Sequence, residues 1–324
     1  MKNQKALLVT GIGGNVGQGI LRNTIGLKKS IRIVGVNTEL VTAGTHLCDI
    51  VYQVPFGYDR AYIPAIRRIC DKEHVDCIIP STDYETVYLA KNRKKLPVVA
   101  TSSYDVNMTF LDKYRTWQKF TEYGIPFAES ALPSGYNGVF GADIVKPREG
   151  RGSRGIVYEP KNTKEFPDTF VVQKLYKGIE VTTAFYVTKQ GTLHSMITFS
   201  RELFGGTTVK CTVVHTYDTQ LLAIIRHMMK HFKIRGSCNI QSIATVDGRV
   251  IPFEINGRLS GTNSIRSQFG FTDVEWTIDE YLYDKKPKPA HLTFGSAVRI
   301  QLDVIYPDVA LSDIQNKTTK HYIF

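Results

Sequence analysis

The sequence predicts an α/β protein of three lobes, of which the first is a small Rossmann-like domain. Three observations lead to this prediction. The chain has 324 residues, a length that suits two or three domains of about 100 to 200 residues each. An apolar run at 6–10 ends in a glycine-rich turn, and a second lobe begins with a helix that glycine and proline close at 124–126. Two strand-like runs flank Asp247-Gly248, a hairpin signal in the third lobe.

The composition excludes several classes of protein. Hydrophobic residues make up 42% of the chain, enough for a sizeable core, so intrinsic disorder is not expected. The net charge of +11 is spread along the chain without a basic tail, which disfavours nucleic-acid binding. Five scattered cysteines without a CxxC pair indicate a reducing compartment, and no apolar stretch approaches the roughly 20 residues that span a bilayer. We therefore expect a cytoplasmic protein with no membrane partner.

The first lobe is predicted to cover residues 1–104. The apolar run at 6–10, the glycine turn, a helix through Leu21 and a second apolar run at 31–36 form a parallel βαβ unit. A helix at 63–72, a buried strand at 76–80, a polar turn at 81–85 and a short strand at 97–100 follow. Ligands commonly bind at the carboxyl ends of such strands, so Asp83 and Glu85 are candidates for contact with a substrate amine, or else part of a functionless loop.

The glycine turn has two further interpretations. A dinucleotide-binding fingerprint needs G-x-G-x-x-G, but its third glycine position holds Val16 here, and Gly17 comes one place late. Glu39 lies near the distance expected of a ribose-binding acid, so this alternative stays open. The other interpretation is structural, because glycines let a helix and a strand pack closely.

The second lobe is predicted to cover residues 105–175. It starts with a helix at 110–123, and a short strand at 144–145 then delivers Lys146. The next nine residues combine cations with glycines: Arg148, Gly150, Arg151, Gly152, Arg154 and Gly155. Such a loop can grip a polyphosphate, because glycine lets backbone amides approach and each cation neutralises an oxygen charge. The alternative is a solvated mobile loop.

The third lobe, residues 176–324, contains the hairpin, whose register follows from its turn. If Asp247-Gly248 is a two-residue turn, Val246 faces Arg249. This register sets Gln241 opposite Glu254 and Asn239 opposite Asn256, all on one face, and it sets Ile240 with Ile255, Ser242 with Phe253 and Ala244 with Ile251 on the other face. Pro252 cannot donate to the ladder and suggests an edge strand or a bulge.

The polar face of the hairpin suits a metal ion. One carboxylate and carboxamide oxygens, without Cys or His, favour Mg²⁺ completed by water and substrate phosphates. Arg258 follows on the same side, where its guanidinium can hold a phosphoryl group or a substrate carboxylate. The alternative is an ordinary polar surface. Arg201, Arg266 and Arg299 are further candidates for a carboxylate, and their spacing does not choose among them.

These residues resemble the ATP-grasp superfamily, in particular the carbamoyl-phosphate synthase large-chain-like carboxylate-amine ligases. The likeness is strongest over Asn239-Ile240-Gln241 and over 254–260, and it extends from Gly11 to about Thr262. It implies a pre-ATP-grasp Rossmann-like domain at 1–104, a lid at 105–175 and a catalytic lobe at 176–324. It also implies that Gln241, Glu254 and Asn256 hold two Mg²⁺, or Mn²⁺ in their place.

The resemblance implies an ATP site as well. Arg258, Asn256 and Lys146 would be catalytic, Lys113 and Lys146 would contact phosphates, and Glu180 would bind the ribose. Adenine would be read by Gln173, Lys174 and Leu175. The remaining nucleotide-binding residues would be Arg148, Gly152, Ser153, Gly155 and Asn239. Gln173 stands where many relatives have Glu, and its amide oxygen can still accept from the adenine amino group.

The expected activity is an ATP-dependent ligase that activates a carboxylate as an acyl phosphate for attack by an amine. The chain departs from true carbamoyl-phosphate synthases in having Phe204-Gly205-Gly206-Thr207 where they carry His-Thr-Gly, and in lacking a second synthetase half. A carbamoyl-phosphate-synthase-like enzyme or an acyl-phosphate-forming kinase is one alternative, and a non-catalytic ATP-binding regulator is another. The expected partners are a small-molecule carboxylate and an amine, with a homodimer as a possible assembly.

Overall fold

The computed structural model describes residues 4–27, 31–150, 152 and 154–324. The first lobe is a parallel five-stranded sheet with the strand order β3-β2-β1-β4-β5. Its strands are β1 (Lys5–Thr10), β2 (Ile31–Asn37), β3 (Ile50–Gln53), β4 (Cys77–Ile79) and β5 (Val98–Val99). Its helices are α1 (Asn15–Ile25), α2 (Tyr62–Glu73) and α3 (Asp83–Lys91).

Burial on both faces of this sheet explains the continuous apolar runs in the sequence. In β1, Leu7 and Val9 pack with α1, whereas Leu8 packs on the opposite face with α2. The predicted βαβ unit is therefore confirmed. The edge strand β3 was missed, and the polar stretch at 81–85, predicted as a turn, contains the start of α3. Thr82 caps that helix by accepting a hydrogen bond from the Glu85 amide.

The glycine turn after β1 lies where β2 and β4 diverge on either side of the strand. A Cβ atom on Gly17 would lie 2.3 Å from the Gly11 carbonyl oxygen, so α1 packs on the turn only because this residue has no side chain. Gly11 has φ +56° and touches Ser81 of the turn that follows β4. The structure thus supports the packing interpretation of the glycine turn.

The second lobe is a four-stranded antiparallel sheet, the lid sheet, with the order β6-β9-β7-β8. The predicted helix at 110–123 is in fact two helices, α4 (Tyr104–Leu111) and α5 (Lys113–Glu122), because Asp112 interrupts the chain and caps α5 with its carboxylate. The lid strands are β6 (Ser130–Ala131), β7 (Asp143–Pro147), β8 (Val157–Tyr158) and β9 (Phe170–Lys174). Phe110 and Phe120 of the two helices pack in one core with Ile240 of the third lobe. By these contacts the two helices join the third lobe.

The third lobe is a six-stranded sheet with the order β14-β13-β10-β11-β12-β15. Its strands are β10 (Gly178–Val187), β11 (Leu193–Phe204), β12 (Thr207–Val213), β13 (Gly236–Thr245), β14 (Val250–Asn256) and β15 (Ser296–Val298). Helix α6 (Asp218–His231) covers one face together with α4 and α5. Helices α7 (Asn263–Arg266) and α8 (Asp273–Thr277) follow the hairpin, and α8 continues as a π-helical turn over Ile278–Leu282. The small strands β16 (Val304–Ile305) and β17 (Tyr322–Ile323) pair near the C-terminus.

The hairpin of β13 and β14 has the predicted register at its functional end and a different one near its turn. Asn239 pairs with Asn256, Ile240 with Ile255 and Gln241 with Glu254, as predicted. The predicted pairs Ser242–Phe253, Ala244–Ile251 and Val246–Arg249 are wrong. Ser242 pairs with Pro252 and Ala244 with Val250, and Thr245 exchanges backbone hydrogen bonds across a three-residue loop with Arg249 and Gly248.

Two offsets therefore cancel along β14. The loop is one residue longer than predicted, and a bulge at Phe253 restores the register one step before Glu254. The strand also lies at the edge of its sheet, so both explanations of Pro252, the edge position and the bulge, hold.

The fold places no candidate for a membrane span in the described part of the chain, since no helix there is long and apolar enough. All five cysteines are buried and free.

Candidate active site

Two cavities meet at the polar face of the hairpin. The lid cavity, of about 280 Å³, lies between the lid sheet and the six-stranded sheet. The lobe 1 cavity, of about 780 Å³, lies between the six-stranded sheet and the carboxyl ends of the strands of the first lobe. The residues that line both cavities are Gly152, Arg154, Arg201, Gly206, Gln241 and Glu254. A molecule in one cavity can therefore reach a molecule in the other at this junction.

The four polar residues of the hairpin share one face, as the register predicted. Asn239, Gln241, Glu254 and Asn256 all line the lobe 1 cavity, while Ile240 and Ile255 of the same strands are buried in the core behind it. The Asn256 Nδ2 donates to Glu254 Oε1 over 3.4 Å. The Asn239 Oδ1 accepts from the hydroxyls of Thr182 and Ser260, so its oxygen is already engaged.

Two buried lysines make this junction positive. Lys113 and Lys146 are each only 5% exposed, and Lys113 Nζ lies 3.7 Å from Glu254 Oε2. Burial, together with the charge of Lys113, lowers the pKa of Lys146 to about 7, against the opposing effects of Glu254 and Glu180. The Lys146 ammonium lies 4.8 Å from the Phe253 ring centroid, on the bulge residue. Such a pair of desolvated cations favours a polyanionic ligand.

Glu254 is ionised in this environment. Burial alone would raise its pKa, but the positive charges of Lys113, Lys146 and Arg258 and the hydrogen bond from Asn256 outweigh burial and lower the pKa. An ionised carboxylate with an amide oxygen on each side is a suitable set of ligands for a hard divalent cation.

Two arginines hold the amide oxygens of the hairpin. Arg201 Nη2 donates to Gln241 Oε1 over 2.7 Å, and Arg258 Nη2 donates to Asn256 Oδ1 over the same distance. Each arginine also pairs with a carboxylate on the other side. Arg201 pairs with Glu180, with its Nε 3.1 Å from Oε1, and Arg258 Nη2 lies 2.5 Å from Asp83 Oδ2. Glu180 lines the lid cavity, and Asp83 lines the lobe 1 cavity.

The structure distinguishes Arg201, Arg266 and Arg299, among which their spacing in the sequence did not choose. Arg266 is fully buried and forms a bidentate pair with Asp273, so it stabilises the fold behind the site. Arg299 donates to the Gly261 carbonyl and lines a different cavity from the two described above. Arg201 alone of the three lines the junction.

Several predicted nucleotide residues have other partners. The Arg148 guanidinium pairs with Asp112 and lines neither cavity, so its predicted phosphate contact is not supported. Gly155 has φ +69° and packs on Pro147, whereas Gly152 lines both cavities. Ser153 lies outside the described residues.

The predicted adenine-reading residues Gln173, Lys174 and Leu175 all line the lid cavity. Some of their hydrogen-bonding groups already have partners within the lid. The Leu175 amide donates to the Ala142 carbonyl, and the Gln173 Nε2 donates to Ser130 Oγ over 3.0 Å. The Leu175 N–H therefore already has a hydrogen-bond partner within the lid.

The wall that the first lobe contributes was largely missed by the sequence analysis. It includes an aromatic group, in which Phe56 and Tyr58 stack at 5.4 Å and Tyr84 meets Tyr58 edge-on. Phe56 and Tyr58 follow β3, the strand that was not predicted, and Tyr84 lies in the first turn of α3, in the stretch that was predicted as a polar turn. Of the two acids proposed for a substrate amine, Asp83 pairs with Arg258, and the buried Glu85 accepts from the hydroxyls of Thr10, Thr82 and Tyr62.

A glycine hairpin tip between β11 and β12 closes the junction from the third side. A Cβ atom on Gly206 would lie 2.4 Å from the Gly152 carbonyl oxygen, so the two backbones touch. Thr207 at the same tip accepts a hydrogen bond from Asn15 of the first lobe over 3.2 Å. One turn therefore contacts both the lid loop and the first lobe.

Comparisons with known proteins agree with this architecture. Residues 7–126 match the family described as PylC-like, N-terminal domain, and residues 110–262 match the ATP-grasp domain. No curated protein matches the chain. N5-carboxyaminoimidazole synthetase from Staphylococcus aureus, solved with ADP, is 12% identical and has a TM-score of 0.73, with 90% of this chain and 81% of that one covered.

Two further solved structures have the same fold. The biotin carboxylase domain of Hydrogenobacter thermophilus 2-oxoglutarate carboxylase, solved with MgADP, ADP and bicarbonate, is 14% identical, with a TM-score of 0.72 over 96% of this chain and 77% of that one. Carboxyaminoimidazole ribonucleotide synthase from Aspergillus clavatus, solved with ATP, is 15% identical, with a TM-score of 0.68 over 90% and 79%. Residues 110–262 are therefore assigned to an ATP-grasp domain and residues 7–126 to a PylC-like N-terminal domain, and the chain has the fold of these solved structures.

Proposed function

We propose that the chain is an ATP-dependent ligase, which phosphorylates a substrate carboxylate and joins the resulting acyl phosphate to an amine. The observation that carries this proposal is the meeting of two cavities at Arg201, Gln241 and Glu254. A nucleotide in the lid cavity would direct its γ-phosphate towards a carboxylate in the lobe 1 cavity. The adenine nucleotides in the solved structures with this fold support the assignment of the lid cavity.

The lid cavity has groups for each part of ATP. Lys113 and Lys146 are buried cations at the junction end, where they would bind the phosphates. Glu180 would accept hydrogen bonds from the ribose hydroxyls once Arg201 releases one of its hydrogen bonds to this carboxylate. Gln173 and Leu175 line the same cavity and would contact adenine.

The hairpin oxygens fit Mg²⁺, with Mn²⁺ as a substitute. In the described part of the chain no group of three or more His, Cys, Asp or Glu side chains is arranged to hold a metal ion. Glu254 is the only carboxylate on the hairpin face, so Gln241 and Asn256 would add amide oxygens, and phosphates and water would complete the shell. When bound, Mg²⁺ would neutralise charge on the β- and γ-phosphates.

The protein groups would act by position and charge, which dominate phosphoryl transfer. A carboxylate oxygen attacks the γ-phosphorus as the bond to the ADP oxygen breaks, and Arg258 and Lys146 would hold the charge on the phosphoryl oxygens. The amine then attacks the acyl carbon, phosphate leaves, and the proton of the amine is released with it. The lid loop, held against Gly206, would keep water from the acyl phosphate.

An isotope experiment tests this function. The protein is incubated with ATP, Mg²⁺ and pooled ¹⁸O-labelled carboxylates, with and without pooled amines, and ADP and phosphate are measured. Release that requires both pools, with ¹⁸O appearing in the phosphate, supports ligation. Release with the acids alone indicates the kinase alternative, and nucleotide binding without any release indicates a regulator.

A further inference from the structure

We propose that Asp83 is a positioning residue for Arg258, which it draws away from the Asn256 oxygen when a divalent ion binds there. The inference rests on the proposed function and names a residue of the first lobe that the metal site depends on. The Asn256 oxygen that would bind the metal already accepts a hydrogen bond from the Arg258 guanidinium.

A metal ion and the Arg258 guanidinium would compete for the Asn256 oxygen. Arg258 Nη2 donates to Asn256 Oδ1 over 2.7 Å and to Asp83 Oδ2 over 2.5 Å, so one nitrogen is shared between two acceptors. A divalent ion on Asn256 Oδ1 would lie a few ångströms from this guanidinium, where like charges repel strongly in a partly buried site. The hydrogen bond to Asn256 must therefore break as the ion binds.

The arginine has one suitable place to move. Its Nη1 donates to the Leu259 carbonyl over 2.9 Å, which keeps the other arm of the guanidinium fixed. In the described part of the chain, Asp83 is the only carboxylate that pairs with Arg258, and the two side chains are 18% and 12% exposed, respectively. Asp83 can therefore keep Arg258 in the lobe 1 cavity, directed at the junction, after the oxygen of Asn256 is released.

The start of α3 fixes Asp83 in this place. Thr82 caps the helix and Asp83 is its first residue, at the carboxyl end of β4. The first lobe thus contributes directly to the electrostatics of the metal site. Arg201 has the equivalent arrangement on the lid side, between Gln241 and Glu180, but both of its partners belong to the six-stranded sheet.

Metal binding tests the proposal without relying on turnover. Mn²⁺ is titrated into ADP-saturated protein, and free Mn²⁺ is measured by electron paramagnetic resonance. Asp83→Asn should weaken Mn²⁺ binding about tenfold, the scale of a lost hydrogen bond between charged groups. Asp83→Glu should restore most of the affinity. Glu39→Gln removes the same charge from the same cavity without touching Arg258, and it should leave the affinity within about twofold.

A double variant separates positioning from general electrostatics. In an Arg258→Gln background there is no cation to move, so adding Asp83→Asn should change Mn²⁺ affinity by less than about twofold. An equal loss in both backgrounds, or no loss in Asp83→Asn alone, would overturn the role of Asp83 while leaving the ligase function intact. Failure of the unaltered protein to bind Mn²⁺ with ADP would instead reject the metal site and the proposed function together.

Discussion

The lid cavity and the lobe 1 cavity differ in how the chain builds them. Lys146, Gln173 and Leu175 lie on or beside the lid strands β7 and β9, and each belongs to a short segment with a local pattern. The lobe 1 cavity gathers loops from distant parts of the chain, including the glycine turn, the aromatic stretch after β3 and the start of α3. Under the proposed function, nucleotide recognition would rest largely on segments with local patterns, whereas acceptor recognition would depend on how the first lobe docks on the six-stranded sheet.

The two cavities also differ in charge. The lid cavity has two buried lysines at its junction end, with Glu180 held by Arg201. The lobe 1 cavity has acids from the first lobe, of which Asp83 is paired and Glu85 is bonded to hydroxyls, and an aromatic group. We expect substitutions on each side to affect different substrates, and those at the junction to affect both.

The largest expected effect lies at the junction. Glu254→Ala removes the only carboxylate of the hairpin face and should lower kcat by about a thousandfold or more, the scale of losing preorganised charge stabilisation. Steady-state ADP release measures this. Glu202→Gln, on an exposed residue paired with Lys210, is the control and should keep normal turnover. Turnover within tenfold of normal in Glu254→Ala would contradict the junction as the site of chemistry.

Substitution of a lysine that lines only the lid cavity should weaken nucleotide binding and leave carboxylate binding unchanged. Lys146→Met should weaken ATP binding by about ten- to a hundredfold, as expected for a buried charged contact. The KM of the carboxylate should change little, because Lys146 does not line the lobe 1 cavity. Isothermal titration with ATP measures the affinity, and an unchanged value would remove Lys146 from the nucleotide site.

The lowered pKa of Lys146 adds a pH dependence. In the protein without nucleotide, a pKa of about 7 means that the Lys146 side chain is charged below pH 7 and mostly neutral above it. Phosphates bound beside it would raise that pKa. Nucleotide binding at pH 8 should therefore take up a proton, and affinity should fall as pH rises through 7. Titration in buffers of different ionisation enthalpy counts the protons. The uptake should be absent in Lys146→Met.

Two neighbouring glycines test whether the contact between Gly206 and Gly152 matters for turnover. Both Gly205 and Gly206 have positive φ, so alanine costs about 1 kcal/mol of backbone strain at either position. Only at Gly206 would the new Cβ lie 2.4 Å from the Gly152 carbonyl oxygen, since nothing lies within 4 Å at Gly205. Gly206→Ala should lower kcat about tenfold by opening the lid contact, with stability matching Gly205→Ala. Equal activities in the two variants would mean that this contact does not matter.

The smallest effect is expected in the aromatic group of the lobe 1 cavity. Tyr58 is 55% exposed and stacks on Phe56, so Tyr58→Ala should raise the KM of the acceptor substrate by a few-fold, about the value of one exposed aromatic contact. The KM for ATP should not change. An equal rise in the KM of the acceptor and in the KM of ATP would contradict the assignment of the two substrates to separate cavities.

The sequence predicted much of the fold because its elements have local causes. The buried strand at 6–10, the glycine turn and the hairpin at Asp247-Gly248 all rest on spacing of a few residues. The predicted register placed Gln241 opposite Glu254 correctly, although two offsets had to cancel for it to do so. A bulge at Phe253 depends on the neighbouring strand and on the edge position, so the pattern of β14 alone did not reveal it.

The sequence analysis did not foresee which acids would pair with two of the arginines. Arg148 pairs with Asp112, which also breaks the helix predicted at 110–123. Arg266 was equal to Arg201 by spacing, but its pairing with Asp273 buries it completely. Arg148 and Asp112 are 36 residues apart, and Arg266 and Asp273 lie on two different helices. Periodicity within one element carries no information about such pairs.

The sequence by itself determined most of the elements and the polar face of the hairpin, because alternation along a strand fixes which side chains share a side. Only the tertiary structure selected Arg201 from the three further arginines and decided which acids pair with Arg201 and Arg258. It brought Asp83 of the first lobe to Arg258 and Glu180 to Arg201. Such pairings follow from the docking of lobes, which depends on contacts between distant segments rather than on any local pattern.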